Sequence, residues 1–360
     1  MTTFRRHPTR QIRLGQLAVG GDAPISVQTM TKTDTRDVSA TVAQIHELES
    51  VGVDVVRLAV VDEAAASALK AIREAVHVPL VADIHFDHRL ALRAVAGGAD
   101  GLRLNPGNIG GAEHVREVVA AARERNVPIR IGVNAGSLER DLLARYGGAT
   151  AEALVESALR HVAMLESFDY REIKISVKAS DVARTVEAYR RLSARTEYPL
   201  HLGVTEAGTL LPGTVRSSVA LGMLLAEGIG DTIRVSLTDA PAREVKVGLE
   251  ILRCLGLRAR GPSVISCPTC GRVEVDVVSV AQQVEMELER FYGNNSDAPR
   301  PVVAVMGCAV NGPGEAREAD IAIAGGRGKF ALYVGGRQVG TVPESAAVSA
   351  VLDAVTKWKG

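Results

Sequence analysis

The chain has 360 residues, more than twice a typical domain, so two domains are the first expectation. Apolar residues make up 46% and aromatic ones 3%, which requires a core of Val, Ala, Leu and Ile rather than rings and excludes a disordered chain. Lys+Arg and Asp+Glu both number 42, and that zero balance argues against a non-specific nucleic-acid binder, which needs a basic excess. The first residues, MTTFRRHPTR, are basic but lead into no apolar stretch, so no secretory leader is expected. No run nears the roughly 18 apolar residues of a membrane span. The expected location is the cytoplasm, with no membrane partner.

From residue 25 short β-rich segments alternate with helical ones. Strands are predicted at 25–30, 54–60, 79–84, 100–105, 128–134, 172–178, 199–205 and 231–236. Each leads into a predicted helix, at about 38–51, 62–76, 87–96, 111–125, 150–167, 181–195, 211–227 and 241–256. Strict alternation implies a parallel sheet. Eight repeats in about 250 residues match a closed (β/α)8 barrel. A doubly wound open sheet is the alternative, but it usually has fewer strands, and the turn after the first strand, MTKTDTRD, lacks glycine. After Leu257 the rhythm breaks. RARGPSVIS reads as a linker into a strand, followed by a helix near 278–291 and a surface loop at 293–300. Strands are then predicted at 302–306, 320–324, 330–334 and 337–342, and a last helix at 344–357. The fold class is therefore α/β: a TIM barrel over residues 1–258, then a small α+β domain over 259–360.

Strands of a parallel barrel are covered on both faces, so an unpaired charge there costs several kcal/mol. These strands nevertheless carry Arg57, Asp83, Arg103, Arg130, Lys178 and Arg234 near their C-terminal ends. The two-residue period adds Asn105 beside Arg103, Asn134 beside Arg130, Ser236 beside Arg234 and His85 beside Asp83. Thr205 and Glu206 end the seventh strand. Barrel enzymes place their sites at this mouth. Guanidinium groups bind phosphate oxygens in bidentate fashion, so a ring of them suits a substrate with more than one negative charge, such as a diphosphate. For one residue alone, internal pairing is the simpler account, with Asp83 or Glu206 neutralising an arginine. Five strands doing the same at one end point to a site. NPGNIGG (105–111) opens a helix and offers backbone N–H groups to a phosphate, although such a turn is more often only a turn. GGRGK (325–329) is most simply a hairpin turn, and no Walker or dinucleotide fingerprint is present. The basic N-terminus reads as a solvated segment or a cap on the barrel floor.

Four cysteines are present: Cys254, Cys267, Cys270 and Cys308. In a reducing compartment structural disulfides are not expected. Cys254 lies in the last barrel helix and reads as an ordinary buried thiol. The other three occur in CPTCGR and MGCAVNGPGEA. A lone CxxC suits a redox dithiol, half a zinc site or part of an iron–sulfur site. A dithiol leaves Cys308 idle, and a zinc site usually has four Cys or His ligands, whereas the tail has no histidine. Three thiolates with an oxygen ligand from Glu315 fit an iron–sulfur cluster with one replaceable corner. Zinc and dithiol chemistry stay open at this point.

The paired cysteine motifs, behind a barrel pattern containing SVQTM, ADIHFD, LRLNPGNIG, IRIGVN and GVTEAG, closely resemble the 4-hydroxy-3-methylbut-2-enyl diphosphate synthase family. The likeness covers nearly the whole chain in the family's order, without the inserted domain of the plant enzymes. It implies a [4Fe-4S] cluster on Cys267, Cys270, Cys308 and Glu315, and the substrate 2-C-methyl-D-erythritol 2,4-cyclodiphosphate. It also implies that Arg57, Arg103, Asn105, Arg130, Asn134, Lys178, Arg234 and Ser236 contact substrate, with Asp83, His85, Thr205 and Glu206 completing the pocket. Glu206 is the candidate proton donor, on position only. With no flavin or nicotinamide motif, electrons must come from flavodoxin or ferredoxin. The resemblance further implies a head-to-tail homodimer with shared sites. Chain geometry agrees: the roughly ten-residue linker spans at most ~35 Å, so a cluster placed soon after it would struggle to cover its own barrel's mouth. The non-catalytic alternative is a barrel joined to a zinc or iron–sulfur redox-sensor module, which has no need of an anion-lined mouth.

Overall fold

The structure is a computed structural model and describes residues 4–258, 263–294, 298–308, 310 and 312–359. It divides into two compact units, Met1–Arg258 and Ala259–Gly360.

The first unit opens with a hairpin, β1 (Ile12–Leu14) and β2 (Leu17–Val19). Eight parallel strands follow: β3 (Ser26–Met30), β4 (Val55–Ala59), β5 (Leu80–Asp83), β6 (Gly101–Leu104), β7 (Ile129–Asn134), β8 (Ile173–Lys178), β9 (His201–Leu202) and β10 (Thr232–Ile233). Their order is β8-β7-β6-β5-β4-β3-β10-β9, and a bridge between Ile175 and Leu200 brings the edge strands together into a nearly closed barrel. The predicted α/β barrel is therefore observed. β9 and β10 are shorter than predicted because side chains take part in the backbone pairing there. Asp231 Oδ2 accepts from Leu200 N at 2.8 Å, and Tyr189 Oη donates to His201 O at 2.6 Å.

The helices of this unit are α1 (Val38–Ser50), α2 (Glu63–Ala75), α3 (His88–Ala96), α4 (Ala112–Glu124), α5 (Arg140–Tyr146), α6 (Ala151–Glu166), α7 (Val182–Ser193), α8 (Leu210–Ala226) and α9 (Pro241–Cys254). Five of them start where a side chain accepts from a first-turn N–H: Asp37, Asp62, Asp87, Thr150 and Asp181. The helix α5 was not predicted. Each longer helix buries an aliphatic stripe, as Ala65, Leu69 and Ile72 do on α2.

The N-terminal hairpin caps one end of the barrel. Ile12, Leu14 and Val19 pack with Val55 and Val81 near the starts of β4 and β5. Gly101 opens β6 without a side chain, and a Cβ there would lie 2.5 Å from Leu14 Cδ2. Arg6 adds an ion pair of 2.6 Å to Asp231, just before β10. A solvated segment and a floor cap were both open for the N-terminus, and the cap is the one observed.

The second unit holds β11 (Ser263–Ser266), α10 (Val277–Asn294), β12 (Val302–Met306), α11 (Gly312–Glu318), β13 (Ile321–Gly326), β14 (Lys329–Val334), β15 (Arg337–Pro343) and α12 (Ala347–Lys357). The sheet order follows the chain; β11, β12 and β13 are parallel, and β14 and β15 antiparallel. Val277, Val284 and Leu288 of α10 and Val351 of α12 pack with Ile321, Ile323 and Phe330. Arg327 and Gly328, at φ 50° and 74°, make the hairpin turn expected at GGRGK. Of the loop predicted at 293–300, α10 takes the start, and 295–297 lie outside the described residues. Among the described residues no helix is long and apolar enough to cross a membrane.

Candidate active site

Strand register assembles the core of the site. Asp83 stands opposite Arg103, Arg103 opposite Arg130, and Arg130 opposite Lys174. Register partners share a face, so one acid and three cations form a row across β5, β6, β7 and β8. None of the four is more than 6% exposed. A barrel core is ordinarily layered with branched apolar side chains; here the row fills it with charge.

Asp83 is the anchor of the row. Arg103 Nη1 donates to its Oδ1 at 3.2 Å, and Arg57 Nε lies 3.7 Å from its Oδ2. Burial alone would raise the Asp83 carboxyl, but Arg57, His85 and Arg103 outweigh it and hold the group well below the usual carboxylate range. Burial lowers Arg57 to about 10 in spite of Asp83. Arg103 Nη2 also donates to Gly132 O at 3.0 Å, while Gly132 N donates to Asn105 Oδ1 at 2.9 Å. A Cβ at Gly132 would lie 2.5 Å from Arg103 Nε, so a larger residue there would displace the guanidinium.

The remaining cations are less paired. Arg130 Nη1 donates to Ser176 Oγ at 2.6 Å, whereas its Nε and Nη2 are buried with no partner. It is the second residue of β7, so it rises from lower in the barrel than the strand end expected for it; the short run Ile129–Asn134 still presents it on the lumen face. Lys178 faces Asn134 in register and is 6% exposed. Burial, then Arg130 and Arg234, press its pKa well below that of a free lysine. Arg234 Nη2 lies 3.5 Å from Glu244 Oε2. Around the rim, His85 is exposed beside exposed Phe86, their ring centroids 5.9 Å apart. Thr205 and Ser236 are half-buried, and Glu206 is exposed with a left-handed φ of 52°.

Several residues were missed by the sequence reading. Lys174 is buried with no partner for Nζ, and burial followed by Arg130 lowers it to about 7. His201 and Gln28 are also buried with unpartnered polar atoms. Glu244, not Glu206, is the acid that meets Arg234. Parity was the available signal: Lys174 and Ser176 share a strand face with Lys178, and His201 shares one with Thr205. Among the described residues, six basic side chains (Arg57, Arg103, Arg130, Lys174, Lys178 and Arg234) gather around Asp83 and Glu244, with Asp231, already paired to Arg6, a third buried acid near Lys174. Such an excess of buried positive charge is costly, and an anion entering the lumen would relieve it.

The second unit carries the other chemistry. Cys267 continues β11, its N–H donating to Val305 O at 3.0 Å. Cys308 follows β12 and accepts at its carbonyl from Gly312 N at 3.2 Å. Cys270 lies in the turn between β11 and α10, its carbonyl accepting from Val273 N at 3.1 Å, and Glu315 in the first turn of α11. Cys267 packs against a layer of Ala304, Met306, Ala316, Ala322 and Ala324. Three thiols and a carboxylate thus come from the C-terminal ends of two paired parallel strands and the segments after them. Among the described residues no three His, Cys, Asp or Glu side chains converge as a metal site. The donor set fits an iron–sulfur group by its chemistry and by its common origin at one sheet end. Cys254 corrects an expectation. It is exposed at the end of α9, its Sγ donating to Glu250 Oε1 at 3.4 Å, because the buried stripe runs through Val245, Gly248, Ile251 and Leu252.

Comparison with known proteins agrees with this division. A dihydropteroate synthase from Stenotrophomonas maltophilia superposes with a TM-score of 0.50 at 15% identity, over 69% of this chain and 98% of that one, which supports the barrel fold alone. A protein of Geobacter sulfurreducens named 4-hydroxy-3-methylbut-2-en-1-yl diphosphate synthase (flavodoxin) is 58% identical over 349 residues, 97% of each chain. One of Ruminiclostridium cellulolyticum with the same name is 53% identical over 354 residues, 98% of this chain and 99% of that one. The GcpE TIM-barrel domain matches residues 9–249 and the GcpE protein C-terminal domain residues 263–357. With both of its units matched in order, the chain belongs to the GcpE family.

Proposed function

We propose that the chain is an oxidoreductase that opens the ring of 2-C-methyl-D-erythritol 2,4-cyclodiphosphate to give (E)-4-hydroxy-3-methylbut-2-enyl diphosphate in non-mevalonate isoprenoid synthesis. The observation that carries this is the barrel lumen in which six basic side chains outnumber the acids near them. Two electrons and a proton enter, a ring C–O bond to the diphosphate breaks, and a hydroxyl departs as water. Cys267, Cys270, Cys308 and Glu315 would hold a [4Fe-4S] cluster, which would supply one-electron transfer and a Lewis-acidic iron.

The chain's own residues divide the rest of the work. Arg130, with two unpartnered nitrogens, and Lys178, with no carboxylate pair, receive the diphosphate. Arg57 and Arg103, already held by Asp83, orient it from β4 and β6. As the ring bond breaks, the diphosphate gains a negative charge, and cations fixed in a water-poor lumen favour that change without reorganising. Asn105, Asn134 and Ser236 contact the substrate, His85 and Thr205 complete the pocket, and Glu206 delivers the proton to the departing hydroxyl. Flavodoxin, which the relatives' name prints, is the proposed electron donor, with ferredoxin as the alternative. The working assembly is a head-to-tail homodimer in the cytoplasm, each barrel mouth served by the partner's cluster.

Anaerobic purification followed by iron analysis and turnover with a reductant tests this function. Cys267→Ser, Cys270→Ser and Cys308→Ser are each expected to lose iron and activity, and Cys254→Ser neither. A colourless wild-type protein holding stoichiometric zinc would favour the sensor module instead.

A further inference from the structure

Glu244 stands in the first turn of α9, where a glutamate ordinarily faces water and complements the helix dipole. This one is turned inward and is 1% exposed. Its Oε2 accepts from Thr29 Oγ1 at 2.6 Å, and its Oε1 accepts from Leu237 N at 3.0 Å. The same Oε2 lies 3.5 Å from Arg234 Nη2. One carboxylate therefore ties together β3, the segment after β10 that carries Ser236, and the Arg234 guanidinium. Leu237 is further fixed by its carbonyl, which accepts from Lys32 Nζ at 3.0 Å, and by its packing over Gly213, where a Cβ would lie 2.5 Å from Leu237 Cδ2.

Arg234 needs such a tie. Arg57 and Lys178 lie near enough for their charges to repel it. Its Nε is buried without a partner, so Glu244 is the acid that opposes the repulsion. A carboxylate only accepts, so it engages one edge of the guanidinium and leaves the other toward the lumen. We infer that Glu244 is the positioning residue that holds Arg234 and the Ser236 segment in the geometry that receives the substrate diphosphate. This inference rests on the function proposed above.

The experiment uses the full-length, cluster-loaded protein and reads KM, kcat, substrate affinity by calorimetry, and melting temperature. Glu244→Gln keeps an acceptor for Leu237 N but removes the charge. It is expected to raise KM and the dissociation constant on the order of tenfold, the loss of one charge-assisted hydrogen bond, with kcat little changed. In an Arg234→Met background the same substitution is expected to add little, because its effect passes through Arg234. Glu244→Asp keeps the charge but withdraws it by one methylene, and a severalfold rise in KM is expected there; this variant carries the test if the Gln variant does not fold. Unchanged KM with a lowered melting temperature would overturn the inference and make Glu244 a structural support. A full effect persisting without Arg234 would overturn it as well. A wild-type protein that does not bind the cyclic diphosphate overturns the proposed function itself, whereas failure of the Glu244 series alone leaves that function standing.

Discussion

Lys174 lies second in β8, in register with Arg130 and within reach of the Asp231 charge, and among the described residues its buried ammonium has no hydrogen-bond partner. Burial, followed by the repulsion of Arg130, brings its pKa from 10.5 to about 7. The unfolded chain therefore binds more protons than the folded one between these values, and stability from this group rises with pH across that window. The cost it imposes is fully present below about pH 7 and fades toward 10.5. Lys174→Met is expected to raise the melting temperature at pH 7. The gain corresponds to several kcal/mol of unfolding free energy, since each tenfold loss of proton affinity on folding costs about 1.4 kcal/mol. That advantage should shrink toward pH 10; thermal unfolding at a series of pH values checks both sign and window. Among the cations proposed to meet substrate, Arg103→Ala or Lys178→Ala is expected to weaken diphosphate affinity at least tenfold without loss of iron, as calorimetry and iron analysis would read. The charged residues near strand ends were legible because a charge in a covered strand is anomalous. Lys174 was not, since a lysine at the start of a strand reads as solvent-facing. Glu244 was hidden for a similar reason: an acid in a first helical turn has an ordinary explanation.

At the scale of elements, alternation of β-rich and helical segments specified the barrel, and aspartates before α1, α2, α3 and α7 marked helix starts in a way the structure repeats as caps. The hairpin β1–β2 escaped notice because three-residue strands carry too short an alternation to register. Its packing is nevertheless definite. Leu14 is 2% exposed and reaches over Gly101 toward Val55 and Val81. Leu14→Ala is expected to destabilise the first unit by about 2–4 kcal/mol, the cost of an emptied leucine site. Gly101→Ala is expected to cost about 1–3 kcal/mol, since its new methyl meets the end of Leu14 in a packed floor. Denaturant unfolding of the two variants measures this; no loss in either would mean that the hairpin merely rests on the barrel. The four-donor origin at the ends of β11 and β12 was legible only as spacing. Sequence could not show that Cys267 extends a strand whose neighbour leads into Cys308.

At the scale of the whole molecule, the proposed head-to-tail dimer has a direct test. Cys270→Ser lacks a cluster ligand and Arg103→Ala lacks a lumen cation, so the first homodimer is expected to be inactive and the second strongly impaired at limiting substrate. Co-expressed and purified as mixed dimers, they should regain one intact barrel served by one intact cluster, with activity well above either parent. No recovery would mean that each chain completes its own site. The charge row also shapes the molecule's far field. The chain is formally neutral, yet basic side chains outnumber acids in its lumen, so the rest of the chain carries a formal negative excess. An approaching dianion is therefore drawn in where low-dielectric walls focus the field of the lumen. Encounter becomes directional, and salt should weaken it: kcat/KM is expected to fall as ionic strength rises, with kcat unchanged. Lys178→Ala should flatten that slope, while loss of an exposed charge such as Arg116 should leave it nearly as steep.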